Sequence, residues 1–237
     1  MKTEEFFAEL ASLARDNEYR FEDLRARLPL GVDGENRLVV AGRRESRRIH
    51  TCVTGTGRTE FIRRLILSLA GAYDRGQTTF VILSPKHEYA ELLRLTRSNV
   101  FVPVISSVED LWKGVEFARS QAGLRRGDGE SVFGRLVLIA DGLESVTGGG
   151  LDGYLPFFSI AAEYGVTLVT GVDLIKSVFG AVPQHFVGAG NCLITVMSAG
   201  KAHLSRVTDE GTLALPQAFT YPSEPSFSDS LAFVEKL

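Results

Sequence analysis

The most constraining feature of this chain is a strand that hands over to a helix across a glycine turn. Ile49 to Val53 is a short run suited to a buried strand, Gly55-Thr56-Gly57-Arg58-Thr59 is the turn, and Glu60 to Ala70 carries Phe61, Ile62, Leu65, Ile66 and Leu69 on one helical face. A unit of this kind belongs in a sheet whose strands are crossed over by helices. The turn is close to the phosphate-binding pattern G-x-x-x-x-G-K-[ST], in which backbone N–H groups cradle phosphates, the lysine reaches the β/γ-phosphates and the hydroxyl holds Mg²⁺. Gly57 and Thr59 stand in their places. Arg58 stands in the lysine position, and Cys52 in that of the first glycine unless the loop is shortened, when Gly55 takes that place. Both alignments are open. A nucleotide here would meet Gly55, Thr56, Gly57, Arg58 and Thr59, and any Mg²⁺ would meet Thr59.

The rest of the chain repeats the alternation. Thr78 to Leu83 and Arg135 to Asp141 are continuous apolar or β-branched runs, the pattern of strands covered on both faces. Leu38 to Ala41, Val100 to Val104, Val166 to Thr170 and Cys192 to Met197 read as further strands. Tyr89 to Leu95, Val108 to Ala122 and Leu155 to Tyr164 read as helices, with Leu111, Trp112 and Phe117 as core. The order predicts an α/β fold with a mostly parallel sheet and helices on both faces. Residues 1–27 read as a helical appendage outside the sheet, with Phe7, Leu10, Leu13, Phe21 and Leu24 at helical spacing. Residues 28–215 read as the main domain, opening on a turn-rich stretch around Pro29, Gly31 and Gly34. Residues 216–237 read as a tail that is loosely structured or packs across a neighbour. Arg125 to Glu130 reads as a polar loop and Gly148 to Gly150 as a flexible turn.

The 237 residues suffice for one large domain. A net charge of -3 argues against bulk affinity for nucleic acid. Arg43, Arg44, Arg47 and Arg48 form the one basic cluster, a solvated loop or a patch for phosphate or an acidic partner. Cys52 and Cys192 have no metal or redox spacing and read as reduced thiols. His50, His87, His185 and His203 show no ligand spacing. No signal peptide and no membrane-spanning run is present in the sequence given.

Four segments in order carry a resemblance to the FtsK/SpoIIIE family of motor ATPases, in particular to the C-terminal ATPase-like domains of the type VII secretion ATPases (EssC/EccC). They are Leu28-Pro29-Leu30-Gly31-Val32-Asp33-Gly34, then Gly55 to Ala70, then Val81-Ile82-Leu83-Ser84-Pro85-Lys86, and Val104 to Asp110. The third is similar to the family's second strand, which ends I-D-P-K. The resemblance spans most of residues 28–200. It implies a P-loop NTPase fold of the RecA/FtsK type; ATP and Mg²⁺ are the ligands a retained loop would take, against a loop that serves only as a structural strand-helix turn.

The departures from the family pattern bear on activity. The family's Walker B strand ends Asp-Glu; here Asp141 is followed by Gly142, and Glu144 lies two residues on, displaced if the segment is extended. Gly171-Val172-Asp173-Leu174 replaces the family's Ala-Thr-Gln-Arg sensor, and Ser84 replaces the I-D-P-K aspartate. Asp141 and Glu144 are the catalytic candidates, and Thr59 with Asp141 the metal candidates. Lys86 is a candidate phosphate contact against the commoner exposed loop lysine. Hydrolysis needs charge neutralisation and a positioned water, each such contact contributing about 2.7–4 kcal/mol. Losing the lysine, the glutamate and the sensor predicts absent or very slow turnover. The resemblance then implies a docking or regulatory module of a membrane-anchored secretion machine, on its cytoplasmic side. Its partners would be other FtsK-like domains of the same parent chain and small helical secreted proteins or their C-terminal signals, with nucleic acid less favoured and a homo-oligomer open. The alternative is an active ATP-driven DNA or protein translocase.

Overall fold

The computed structural model describes residues 2–8, 28–41, 50–72, 76, 78–127, 135–148, 152–173, 192–208, 213–224 and 226–237. The arginines at 43, 44, 47 and 48, His185, the expected N-terminal helical stretch over residues 9–27 and Leu174 lie outside the described residues.

Among the described residues ten strands form one sheet. They are β1 (Leu28–Val32), β2 (Leu38–Ala41), β3 (His50–Gly55), β4 (Thr78–Leu83), β5 (Asn99–Phe101), β6 (Arg135–Asp141), β7 (Thr167–Gly171), β8 (Cys192–Ser198), β9 (Lys201–Arg206) and β10 (Gln217–Thr220). Their order is β2-β1-β10-β9-β8-β3-β7-β6-β4-β5. From β8 to β5 every pairing is parallel; from β8 to β2 every pairing is antiparallel. Five of the nine pairings are thus parallel, as expected of the sheet's larger part, and four antiparallel pairings extend it on one side.

The parallel strands are covered on both faces because side chains alternate along them. Val53, Phe80, Ile82, Val137, Ile139 and Val169 point to one face, against helix α1 (Arg58–Ala72). Cys52, Val81, Leu83, Leu136, Leu138 and Leu168 point to the other, against α2 (Val108–Gly127) and α3 (Leu155–Tyr164). Arg125 to Gly127, expected as loop, belong to α2. Trp112 was expected in the core, but it is 54% exposed on the outer side of α2. Residues 87–94 are helical as a 3₁₀ stretch.

The segment after residue 216 is a correction to the loose tail. Its first residues form β10, between β1 and β9, and Phe227–Val234 forms α4. Ser226 caps α4, its hydroxyl accepting from the Asp229 N–H and donating to the Asp229 carboxylate. α4 lies on α1: the Arg63 guanidinium stacks 3.7 Å over the Phe227 ring, and buried Arg64 donates to Ser230 Oγ at 2.5 Å. Residues 3–8 are helical and bring Phe6 and Phe7 into the same core cluster.

Candidate functional site

The C-terminal ends of β3, β7, β6 and β4 stand side by side, the place where ligands bind in open α/β sheets. The chain delivers polar and charged groups there from each of three strands: Arg58 and Thr59 after β3, Asp141 at the end of β6 and Glu144 just after it, and Lys86 after β4.

The turn itself is short. β3 stays paired with β8 through Gly55, opposite Val196, and α1 begins at Arg58, so only Thr56 and Gly57 separate strand from helix. Gly55 has φ +97°, and a Cβ there would stand 2.3 Å from the Val196 carbonyl oxygen, so only glycine closes this turn against β8. The sequence alternative with Cys52 as the loop's first residue would need a loop where β3 has a strand; Cys52 is a buried strand residue, 2% exposed.

Arg58 turns from the helix start onto the end of β6. Its Nε donates to Asp141 Oδ1 at 3.1 Å and its Nη2 to Glu144 Oε1 at 2.9 Å. Burial opposes its charge, but the Asp141 and Glu144 carboxylates outweigh this and raise its pKa above the ordinary arginine value. Asp141 is fully buried. Its Oδ2 accepts from Thr59 Oγ1 at 2.8 Å, Lys86 Nζ at 3.0 Å and the Tyr89 hydroxyl at 3.0 Å. Lys86 Nζ also donates to Thr59 Oγ1 at 2.5 Å. A carboxylate with four donors is fully satisfied.

Glu144 is where extended geometry would not put it. Gly142 adopts φ +73° and Leu143–Ser145 form a 3₁₀ turn, which returns the Glu144 carboxylate toward Arg58. Its oxygens also meet the Tyr154 hydroxyl and the backbone N–H of Asp173, the latter at 3.1 Å. The Tyr154 hydroxyl accepts from the Leu143 N–H and lies 2.9 Å from the Gly171 carbonyl. Burial, with the Asp141 charge beside Tyr89 and chiefly the Glu144 charge beside Tyr154, pushes both hydroxyls above the ordinary phenol range, so both stay neutral donors.

The structure therefore brings Arg58, Thr59, Asp141 and Glu144 together and leaves Thr56 and Gly57 exposed at the turn. Lys86, Tyr89 and Tyr154 complete the cluster. Of these only Lys86 was singled out in the sequence; its place at the end of a parallel strand was the available signal. Two cations face two carboxylates, a charge-balanced network with its hydroxyls engaged. Among the described residues no set of three or more His, Cys, Asp or Glu side chains is grouped to hold a metal.

Neither a protein-family model nor a curated protein sequence matches the chain. Solved structures do share its fold. The EccC ATPases 2 and 3 from Thermomonospora curvata, in complex with a signal sequence peptide, superpose with a TM-score of 0.58 at 13% identity over 85% of this chain. The EssC ATPases 2 and 3 from Geobacillus thermodenitrificans give 0.56 at 12% over 89%, and the cytoplasmic domain of the T. curvata type VII secretion ATPase EccC gives 0.56 at 12% over 85%. The chain spans 41%, 47% and 26% of those chains, respectively. No helix among the described residues is long and apolar enough to cross a membrane. The chain has the fold of the ATPase domains of these type VII secretion ATPases.

Proposed function

We propose that this chain is a catalytically impaired FtsK/SpoIIIE-like domain, a docking or regulatory module of a type VII secretion-type membrane ATPase that recognises secretion substrates. The observation that carries the impairment is the engagement of Arg58. The residue in the lysine position points at Asp141 and Glu144 rather than standing free for a phosphate. The arrangement does not fit Mg²⁺ and ATP. Two linking residues give too few backbone N–H groups to wrap a triphosphate, Thr59 Oγ1 is spent on Asp141 and Lys86, and Glu144 is held by Arg58, Tyr154 and the Asp173 N–H. No hydrolytic step is assigned.

Docking needs the fold and a surface, not the hydrolytic groups. The fold is shared with EccC ATPases 2 and 3, whose solved complex contains a signal sequence peptide. The described residues also offer an apolar groove along the β5 edge, lined by Leu93, Phe101, Val104, Lys113 and Phe117. Retained Thr59 and Asp141, 2.8 Å apart, favour the second reading, an active translocase in which they would hold Mg²⁺.

The test is a phosphate-release assay with ATP and Mg²⁺ beside fluorescence-anisotropy titration with C-terminal peptides of small helical secreted proteins encoded beside the gene. Peptide binding without release is the expected pair. Steady release that Asp141→Asn abolishes would replace this reading with the translocase; no peptide binding would remove substrate recognition.

A further inference from the structure

Lys86 has no role in the phosphate-binding pattern, yet it reaches the centre of the site. Its ammonium lies between Thr59 Oγ1, at 2.5 Å, and Asp141 Oδ2, at 3.0 Å. In phosphate-binding loops these two groups, the loop hydroxyl and the carboxylate at the end of a neighbouring strand, are the ones that hold the divalent metal. We propose that Lys86 is the resident cation of this site, its ammonium occupying the place of a divalent metal ion between Thr59 and Asp141.

Gly142 supplies the second observation. A Cβ at this position would stand 2.9 Å from Lys86 Cε, 3.5 Å from its Nζ and 3.8 Å from Arg58 Nη2. A side chain there would push the flexible end of Lys86 aside, and the left-handed φ of +73° favours glycine in its own right. Gly142 thus leaves open the space that the Lys86 side chain crosses. Charge leads to the same conclusion. Arg58 and Lys86 balance Asp141 and Glu144, so an added divalent ion would meet two cations and an Asp141 Oδ2 that already accepts three hydrogen bonds. Without the lysine charge the cluster carries one net negative charge and a released hydroxyl. Mg²⁺ commonly binds through one or two carboxylates with water completing its shell.

This deepens the reading of the site as non-hydrolysing and rests on it. The experiment is a Mn²⁺ titration, with free Mn²⁺ read by electron paramagnetic resonance, on wild type, Lys86→Gln and Lys86→Arg, without nucleotide. Wild type and Lys86→Arg are expected to leave Mn²⁺ free. Lys86→Gln is expected to bind it about a hundredfold tighter than wild type, as follows from removing a like charge in contact with the ion. Mg²⁺ should raise the unfolding temperature of Lys86→Gln alone, or restore its fold if it is unfolded without metal. Saturable Mn²⁺ binding by wild type that Asp141→Asn removes would overturn the proposal. So would a Lys86→Gln variant that neither gains Mn²⁺ nor responds to Mg²⁺. Because no nucleotide is present, such failure leaves the hydrolysis reading to its own assay, whereas phosphate release by wild type would sink that reading whatever Lys86→Gln does.

Discussion

Replacing Arg58 with alanine separates a structural arginine from one held ready for phosphate. In this structure Arg58 makes two charge-assisted hydrogen bonds, to Asp141 at 3.1 Å and Glu144 at 2.9 Å. Such bonds contribute about 1.5–3 kcal/mol each. Its side chain is 15% exposed and that of Glu144 16%, which places the Glu144 bond at the lower end. Asp141 is fully buried but keeps Thr59, Lys86 and Tyr89 as donors, so the loss falls short of orphaning a buried charge. The expected cost of Arg58→Ala is about 3 kcal/mol. For a domain of this size that lowers Tm by about 6–12 °C. Arg58→Lys keeps a charge but not the fork that spans both carboxylates, and should cost about half as much. Thermal and urea unfolding of both variants, without nucleotide, measures this. A double-mutant cycle with Glu144→Gln should return a coupling of about 1–3 kcal/mol. An Arg58→Ala variant within about 2 °C of wild type would refute the reasoning, because an arginine waiting for phosphate contributes little to the empty fold.

Three further predictions rest on other parts of the molecule. His50 is buried with its Nε2 3.3 Å from Thr170 Oγ1, and burial lowers its pKa from 6.5 to about 3. Between those values the unfolded chain binds a proton that the native ring does not. His50 therefore makes stability fall as pH drops from about 6.5 toward 3, at up to about 1.4 kcal/mol per pH unit, and level off outside that window; urea unfolding against pH should show this slope in wild type and lose it in His50→Gln. Burial pushes the Cys52 thiol up to about 12, so it should stay unreactive toward a disulfide reagent at pH 8 in the native state and react on unfolding. Phe227→Ala removes the ring that anchors α4 beneath Arg63, and urea unfolding should show a loss of about 3 kcal/mol.

How much was legible follows from where the physical signal lay. β4 and β6 are buried on both faces and read as unbroken apolar runs, and α1 shows its face at helical spacing. In the antiparallel part β2 was read as a strand, but β1, β9 and β10 were missed because they carry weaker signals. Pro29 and Gly31 made β1 read as a turn, although Gly31 lies where a Cβ would meet the Thr220 carbonyl at 1.9 Å. β9 alternates Lys201, His203 and Ser205 with Ala202 and Leu204, a half-buried pattern easily lost in polar composition. Pro222, Pro225 and the serines masked α4, whose Ser226…Asp229 cap was the available sign. At the site, the departures at Arg58, Gly142 and Asp173 were visible as letters. Their partnership was not. That Arg58 bridges Asp141 and Glu144, and that Lys86 enters over Gly142, depends on a left-handed Gly142 and a 3₁₀ turn that no spacing rule announces.

The site is closed by its own side chains, and isothermal titration calorimetry of the wild-type chain with ATP and Mg²⁺ is the sharpest test of that closure. The prediction is heat of dilution only. A saturable one-to-one binding curve that Thr59→Ala and Asp141→Asn both abolish would show that the Arg58 and Lys86 network opens for a nucleotide, and would contradict it.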